Sequence, residues 1–338
     1  MTNATGILTF LSAPIRVAAA ALRLLVLVPA LAVAALLMRR SGSATPDAAP
    51  TEPAWAASDA LWAASHPDVE LSVVIPFYNP GDSMRPTVDR LVQALRAERV
   101  GFEVICVSDG STDGSERTLD GAGHEVRVIV NPVNRGKGAA LHTGFAHALG
   151  SYVGMVDCDG DIDPLHLVDY LKTAMAHGAH VVYGDKRLTE STSASSSLRK
   201  LVSFGFSSIV GTLFALGVRD TQTGCKLFSR HALQTVLPRL REERFAFDLE
   251  FFVAAKAAGL RSLVPAPVHL SERLSGSTVT ATTILRTLSD ALTVFGRLHL
   301  TNTYRSAAAG PVADRVLVSI PTQRLAAVGA ASELGLAA

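Results

Sequence analysis

Residues 156–164 read VDCDGDIDP, placing Asp157, Asp159, Asp161 and Asp163 at alternate positions in an otherwise apolar region. Carboxylates at this spacing suit three chemistries: a calcium loop, an aspartate that attacks phosphate, or a clamp on a hard divalent cation that in turn holds phosphate oxygens. A helix–loop–helix calcium site starting at Asp157 requires Gly at its sixth position and Glu at its twelfth. Ile162 and Val168 stand there, which excludes it. A nucleophilic aspartate at a strand end fits the DxDG pattern, but leaves the polar strand ends upstream without a role. In the clamp, Asp157 ends a strand, Asp159 converges with it on one side of the turn, and Asp161 is a candidate third ligand. Two carboxylates leave room for two phosphate oxygens, and Mg2+ or Mn2+ there would neutralise charge growing on a departing diphosphate. Asp163, followed by Pro164, reads as a helix cap. A solvated acidic turn is the bland alternative, so the surrounding sequence must decide.

The elements that would carry this turn are legible upstream. LSVVIPF (71–77), FEVICVS (102–108), VRVIVN (126–131), YVGMVD (152–157) and HVVYG (180–184) are short β-branched runs separated by helical patterns. One such pattern sets Val88, Leu91, Val92 and Leu95 on a single helix face. Repeated strand–helix–strand order predicts an α/β fold, a mostly parallel sheet flanked by helices. Ligands of such sheets sit beyond the carboxyl ends of the strands. Polar residues collect there: Tyr78 and Asn79, Ser108 to Ser111, Asn131 to Lys137, and Asp157 to Asp163. The charge-free segment 201–218 reads as a buried or interfacial helix, because a true crossing would put everything after it on the opposite side of a membrane from these clusters.

The chain has 338 residues, a formal net charge of +1, 48% hydrophobic residues and three cysteines without a CxxC. This composition gives a packed core but no global field for nucleic acid, no zinc knuckle and no disulfide framework. Residues 17–38 hold one charge, Arg23, and as a helix reach roughly 33 Å, enough to cross a bilayer. Arg39 and Arg40 follow, which favours a cytosolic side for the rest of the chain, although Arg16 on the other flank weakens that inference. A cleaved signal peptide and a disordered leader are the rivals. The expected organisation is an N-terminal membrane anchor (1–40), a linker (41–68) with Trp55 and Trp62 at the membrane interface, a catalytic domain (69–275), a C-terminal amphipathic helix (276–305) and a tail (306–338). In that helix Ile284, Leu288, Ala291, Leu292, Phe295 and Leu298 form an apolar stripe, suited to a membrane surface or to the protein's own sheet.

VVIPFYN (73–79), VSDGSTDGS (107–115), NRGKGAALHTG (134–144), DCDGD (157–161), GDKR (184–187), DTQTGCKLF (220–228) and RFAFDLEF (244–251) occur in this order. Together they resemble family 2 glycosyltransferases of the GT-A (Rossmann-like) fold, and most closely the polyprenyl- or dolichyl-phosphate glucosyl- and mannosyltransferases, over roughly residues 70 to 300. The resemblance implies that Pro76, Tyr78 and Asp109 hold the nucleoside of a nucleotide sugar. Gly136 and Lys137 would lie near the nucleotide, with Asp157 and Cys158 of the DCDGD motif. Asp220, Gln222 and Lys226 would face the sugar or acceptor. Arg187 and Arg244 are candidates for an acceptor phosphate, which a guanidinium matches in geometry. Asp248 is a candidate base if the acceptor is a hydroxyl, as is Asp220; a salt bridge is the plainer role for Asp248 and Glu250. Relatives often have a second aspartate where Ser108 stands and Glu where Pro80 stands, which leaves the base open: uridine first, guanosine second.

Read alone, GKGAAL also passes for a dinucleotide fingerprint, but it follows the third strand rather than the first. The expected function is inverting transfer of glucose or mannose from a nucleotide diphosphate sugar (UDP-glucose first, GDP-mannose second) to a polyprenyl phosphate at the cytosolic membrane face. A lipid monophosphate is already an oxyanion, so it needs positioning rather than a dedicated base. The alternatives are a family 2 enzyme acting on a saccharide, glycolipid or small-molecule hydroxyl, and a catalytically silent nucleotide-sugar-binding membrane protein.

Overall fold

The computed structural model describes residues 29–30, 32–33, 55–188, 211, 213–218, 220–269, 281–301 and 303–304. The β-branched runs form β1 (Leu71–Phe77), β2 (Phe102–Asp109), β3 (Val126–Asn131), β4 (Tyr152–Val156) and β5 (Val181–Asp185). Two more strands, β6 (Cys225–Ser229) and β7 (Leu263–Pro267), complete a sheet of order β3-β2-β1-β4-β6-β5-β7. β3, β2, β1 and β4 pair in parallel, as do β5 and β7. β6 alone runs backwards, wedged between β4 and β5, with Val156 opposite Cys225 and Tyr183 opposite Lys226.

The helices are α1 (Trp55–Ser65), α2 (Arg85–Ala97), α3 (Lys137–His147), α4 (His166–His177), α5 (Arg230–Val236), α6 (Phe247–Ala257) and α7 (Ala281–His299). Every residue of β1 and β2 is buried, as a sheet covered on both faces requires. The predicted stripe Val88, Leu91, Val92 and Leu95 is the buried face of α2, and with Leu167 and Leu171 of α4 it fills one side of the sheet. The other side holds an aromatic cluster: Phe145 of α3 meets Phe228 of β6 edge-on at 5.5 Å, and Phe228 lies 4.5 Å from Phe251 of α6. Such pairs contribute roughly 0.5–1.5 kcal/mol each beyond their buried area, and here they fix α3 and α6 to the strand between them.

One expectation changes, and one open alternative is decided. The second half of the 41–68 linker is the helix α1, docked on the domain. Trp62 leaves no side chain for a membrane interface: its Nε1 donates to Glu103 Oε2 (2.7 Å), and the Arg127 guanidinium lies 5.0 Å above its ring. Asp59, one turn earlier, pairs with Arg127 (2.7 Å) and His147 (2.7 Å). These contacts are polar, so a search for apolar periodicity passes over them. The described part of the apolar stripe of α7 faces the protein, one of its two expected roles, while the Ile284 side chain lies outside the described residues. Ala291 and Phe295 are buried, Leu292 and Leu298 pack against the same core, and Phe295 meets Phe214 at 5.8 Å.

Most of 17–38 and of 201–218 lies outside the described residues. Residues 29, 30, 32 and 33 are helical, and so are 211, 213 and 214, of which Leu213 and Phe214 are buried. Among the described residues no helix is long and apolar enough to cross a membrane.

Candidate active site

Beyond the carboxyl end of β4 the chain turns through Asp157 to Asp161. Asp157 leaves the strand with its N–H on Gly224 O (3.1 Å), the residue before β6. Its side chain is held from both sides. Oδ1 accepts from Lys137 Nζ (2.6 Å), and Oδ2 lies against Gly224, where a Cβ would come within 2.0 Å. Lys137 opens α3 directly after Gly136, whose φ of +116° and whose approach to Glu243 O, 2.6 Å from an added Cβ, leave no space for a side chain. The Lys137 ammonium also lies 3.8 Å from Asp248 Oδ2, while Asp248 Oδ1 accepts from Lys226 Nζ (2.7 Å). A row of alternating charge results: Asp157, Lys137, Asp248, Lys226. Burial alone would pull the Lys137 ammonium down, but the carboxylates of Asp157 and Asp248 outweigh it and hold it above the usual lysine range.

Asp159 stands beside this row. Burial and the like charges of Asp157 and Asp161 keep its carboxyl above the usual range, although Asp161 N–H donates to its Oδ1 (3.0 Å). The carboxylates of Asp157, Asp159 and Asp161 outnumber the Lys137 ammonium beside them, and such hard oxygen donors fit a divalent ion such as Mg2+ or Mn2+. The expected three-aspartate ligand set is not assembled, however. Among the described residues no three His, Cys, Asp or Glu side chains converge on a metal position, because Asp157 is turned to Lys137 and Asp161 reaches Asp159 through its backbone. Asp163 caps the next turn by accepting from Leu165 N (3.1 Å), and also pairs with Arg90 (2.8 Å).

The other expected residues divide between exposed positions and buried scaffold. Pro76 is buried in β1, and Tyr78 just beyond it is exposed. Asn79 ties this strand end to the one after β2: its N–H donates to Ser111 Oγ (3.1 Å) and its Oδ1 accepts from Thr112 N (2.7 Å). Asp109, expected at the nucleoside, is buried and spends its carboxylate on the backbone N–H groups of Arg135 (3.2 Å) and Gly136 (2.6 Å). It positions the Lys137 turn. Ser108 donates to Glu116 Oε1 (2.5 Å).

Lys226, expected to face sugar or acceptor, is fully buried and also donates to Thr223 O (2.6 Å), so it belongs to the support beneath Asp248. Asp248 is buried too and shared between two ammonium groups, which makes it a structural counter-ion rather than an accessible base. Asp220 accepts from Gln222 N (3.1 Å) in a tight turn that leaves Gln222 exposed. Arg244 is exposed over the Gly136 turn, and Arg187 lies in a short 3-10 helix after β5. Burial first, then the charges of Asp157 and Asp159, push the Cys158 thiol up to about 12, so it carries no thiolate chemistry at neutral pH.

Two parts of the site had escaped the sequence reading. Gly224 is one, and its place between Thr223 and a buried strand was the available signal. The other is the support of segment 241–244, which packs on the Gly136–Gly138 turn. Glu250 of α6 is fully buried; its Oε2 accepts from the N–H groups of Arg241 and Glu242 (both 2.7 Å), and its Oε1 from Tyr304 (2.7 Å) and Arg297 of α7 (3.0 Å). Glu243 O then accepts from Ala139 N (2.9 Å), which holds the start of α3.

Residues 72–237 match the model of the family Glycosyl transferase family 2. Similar proteins include dolichyl-phosphate beta-glucosyltransferases. That of Homo sapiens is 32% identical over 213 residues, covering 56% of this chain and 64% of the relative. That of Dictyostelium discoideum is 30% identical over 208 residues, covering 56% and 63%. One from Trichomonas vaginalis is 27% identical over 237 residues, covering 67% and 73%. The chain therefore spans somewhat less than two thirds of the length of the first two. Among solved structures, mannosyl-3-phosphoglycerate synthase from Rubrobacter xylanophilus superposes with a TM-score of 0.54 at 18% identity, over 74% of this chain and 79% of that one. Glucosyl-3-phosphoglycerate synthase from Mycobacterium tuberculosis gives 0.50 at 20%, over 69% and 84%. These likenesses concern the fold, which is the α/β GT-A arrangement.

Proposed function

We propose that the protein is an inverting glycosyltransferase that moves glucose from UDP-glucose to a polyprenyl phosphate at the cytosolic face of a membrane, with GDP-mannose as the second candidate donor. The observation that carries this reading is the pair Asp157 and Asp159 at the end of β4, with Lys137 in direct contact and the strand ends of β1 and β2 alongside. The similarity to dolichyl-phosphate beta-glucosyltransferases supports the acceptor class. Tyr78 and the loops joined by Asn79 would border the nucleoside. Asp157 and Asp159 would hold Mg2+ or Mn2+, which when bound supplies charge stabilisation to the leaving diphosphate. Lys137 would serve the diphosphate directly, and Arg244, exposed beside it, would orient the acceptor phosphate. The acceptor oxyanion attacks the anomeric carbon opposite the departing nucleotide, which inverts the centre and requires no side-chain base. The apolar segment 17–38 would anchor the domain to the membrane.

The test is transfer of labelled glucose or mannose from UDP-glucose or GDP-mannose by the purified full chain, with and without undecaprenyl phosphate, in Mg2+ or EDTA. Metal-dependent label in the lipid phase is expected, and Asp159→Ala should abolish it. Label only on a hydroxyl acceptor, or nucleotide-sugar binding without transfer, would refute the acceptor assignment. Full activity of Asp159→Ala would refute the metal assignment.

A further inference from the structure

The geometry points to Lys137 as a built-in counter-ion that occupies the place of the divalent cation until a nucleotide diphosphate arrives, so that metal and nucleotide enter the site as a coupled pair. This inference rests on the reading of Asp157 and Asp159 as metal ligands, and concerns what keeps that metal out. Asp157 is already engaged by a cation: its Oδ1 holds the Lys137 ammonium at 2.6 Å, and its Oδ2 lies on the Gly224 side, where there is no space for a Cβ. The row Asp157, Lys137, Asp248, Lys226 contains two carboxylates and two ammonium groups, and is neutral without a metal. A cation entering alone meets the carboxylates of Asp159 and Asp161 beside an ammonium that already holds Asp157. It must take Asp157 from Lys137 and leave an ammonium beside itself.

Lys137 has little room to retreat. Its backbone is fixed at the first turn of α3 by the Gly136 turn, which Asp109 holds through two N–H groups. Its other neighbour, Asp248, is already neutralised by Lys226 at 2.7 Å. A diphosphate changes the balance, because its oxygens give the ammonium a new partner on a flexible four-carbon stem and bring the negative charge that the cation requires. Binding coupled in this way is reciprocal: nucleotide tightens metal by the same factor by which metal tightens nucleotide.

Mn2+ binding to the purified full chain, read from the loss of the free-ion paramagnetic resonance signal, tests this with and without UDP. The wild type should bind Mn2+ weakly alone and much more tightly with UDP. Lys137→Met, which keeps the stem and a good helix former but removes the charge, should bind Mn2+ more tightly in the absence of UDP. A unit charge about 4 Å from a divalent ion repels it by about 2 kcal/mol even at the dielectric of water, which sets the gain at roughly 30-fold or more. The enhancement by UDP should shrink in the same variant, and Lys137→Gln should reproduce both effects if the charge rather than the side-chain shape is responsible. Unchanged Mn2+ affinity in both variants, with UDP-dependent binding intact, would overturn the counter-ion role and leave the metal site standing. Absence of Mn2+ binding to the wild type under every condition would instead overturn the metal reading, and the inference with it.

Discussion

Replacing Gly224 by alanine tests the site through one methyl group. An ideal Cβ at this position falls 2.0 Å from Asp157 Oδ2 and 2.5 Å from its Cγ, against an ordinary contact of 3.4 Å or more. The carboxylate must therefore retreat by about 1.4 Å, or rotate, and either movement breaks the 2.6 Å contact with Lys137. Overpacking of this kind costs about 1–3 kcal/mol, which a domain of this size should survive folded. A displacement of about 1 Å in a positioning group costs roughly 100-fold in rate, so kcat should fall by about that factor. Mn2+ affinity in the presence of UDP should fall as well, because the ligand itself has moved. Labelled-glucose transfer, Mn2+ titration and circular dichroism on the same preparation separate these effects. Gly184→Ala, whose Cβ would meet Thr223 Cγ2 at 2.6 Å and Tyr170 Oη at 3.0 Å, serves as a control for crowding away from Asp157. A folded Gly224→Ala protein with wild-type turnover and metal affinity would refute the claim that this glycine sets the carboxylate.

Burial, only partly offset by Arg297, pushes the Glu242 carboxyl up to about 7 from an ordinary 4.5. The folded state thus binds the proton more tightly, so its contribution is complete below about pH 4.5 and is lost as pH rises to about 7. Glu242→Gln should remove that slope and be more stable than wild type at pH 8 by at most ~3 kcal/mol; parallel urea-denaturation profiles across this range would contradict it. Lys226→Met should cost about 3–5 kcal/mol in thermal or chemical unfolding, since it leaves a buried Asp248 with one cation; a selective rise in acceptor KM at unchanged stability would restore Lys226 to a ligand-facing role. Asp59→Ala should cost about 2 kcal/mol and speed proteolysis within residues 55–65. Burial opposes it, but His147 and Arg127 hold the Asp59 carboxyl below the usual range, so this contribution persists above ordinary carboxylate pH and fades only as pH falls through that lowered value. Unchanged protease sensitivity in Asp59→Ala would show that α1 is held by other contacts.

Of the first five strands, β1 and β2 were legible because fully buried parallel strands are continuous apolar runs, and the half-exposed edge strand β3 because of its alternating Val and Ile. β6 was not: CKLFS is short and carries a lysine, and its antiparallel place between β4 and β5 depends on pairings with chain far upstream. β7, LVPAP, contains two prolines, which mark it against a central position, and the sheet places it at the edge. Within the candidate site, the aspartate turn stood out by residue type and spacing, whereas Lys137 was singled out only through the family resemblance; the structure brings the two into contact. What residue type could not disclose was how the charges are partnered. Asp109 and Lys226 look like ligand contacts in sequence, yet one is bonded to backbone amides and the other to a buried carboxylate. Trp62 and Asp59 looked like linker because their partners, Glu103, Arg127 and His147, lie far along the chain.

The reversed strand β6 also imposes an order on biosynthesis. β4 is complete at Val156, but its free edge waits for Cys225 to Ser229, and Gly224 reaches Asp157 only when that strand inserts. At about 5–20 residues per second, a ribosome needs roughly 3–14 s to supply the intervening chain. For that interval the nascent domain presents an unpaired sheet edge, a template for wrong partners, next to the Asp157–Asp161 turn. The last strand to enter the middle of the sheet is thus the one that both closes the edge and completes the site.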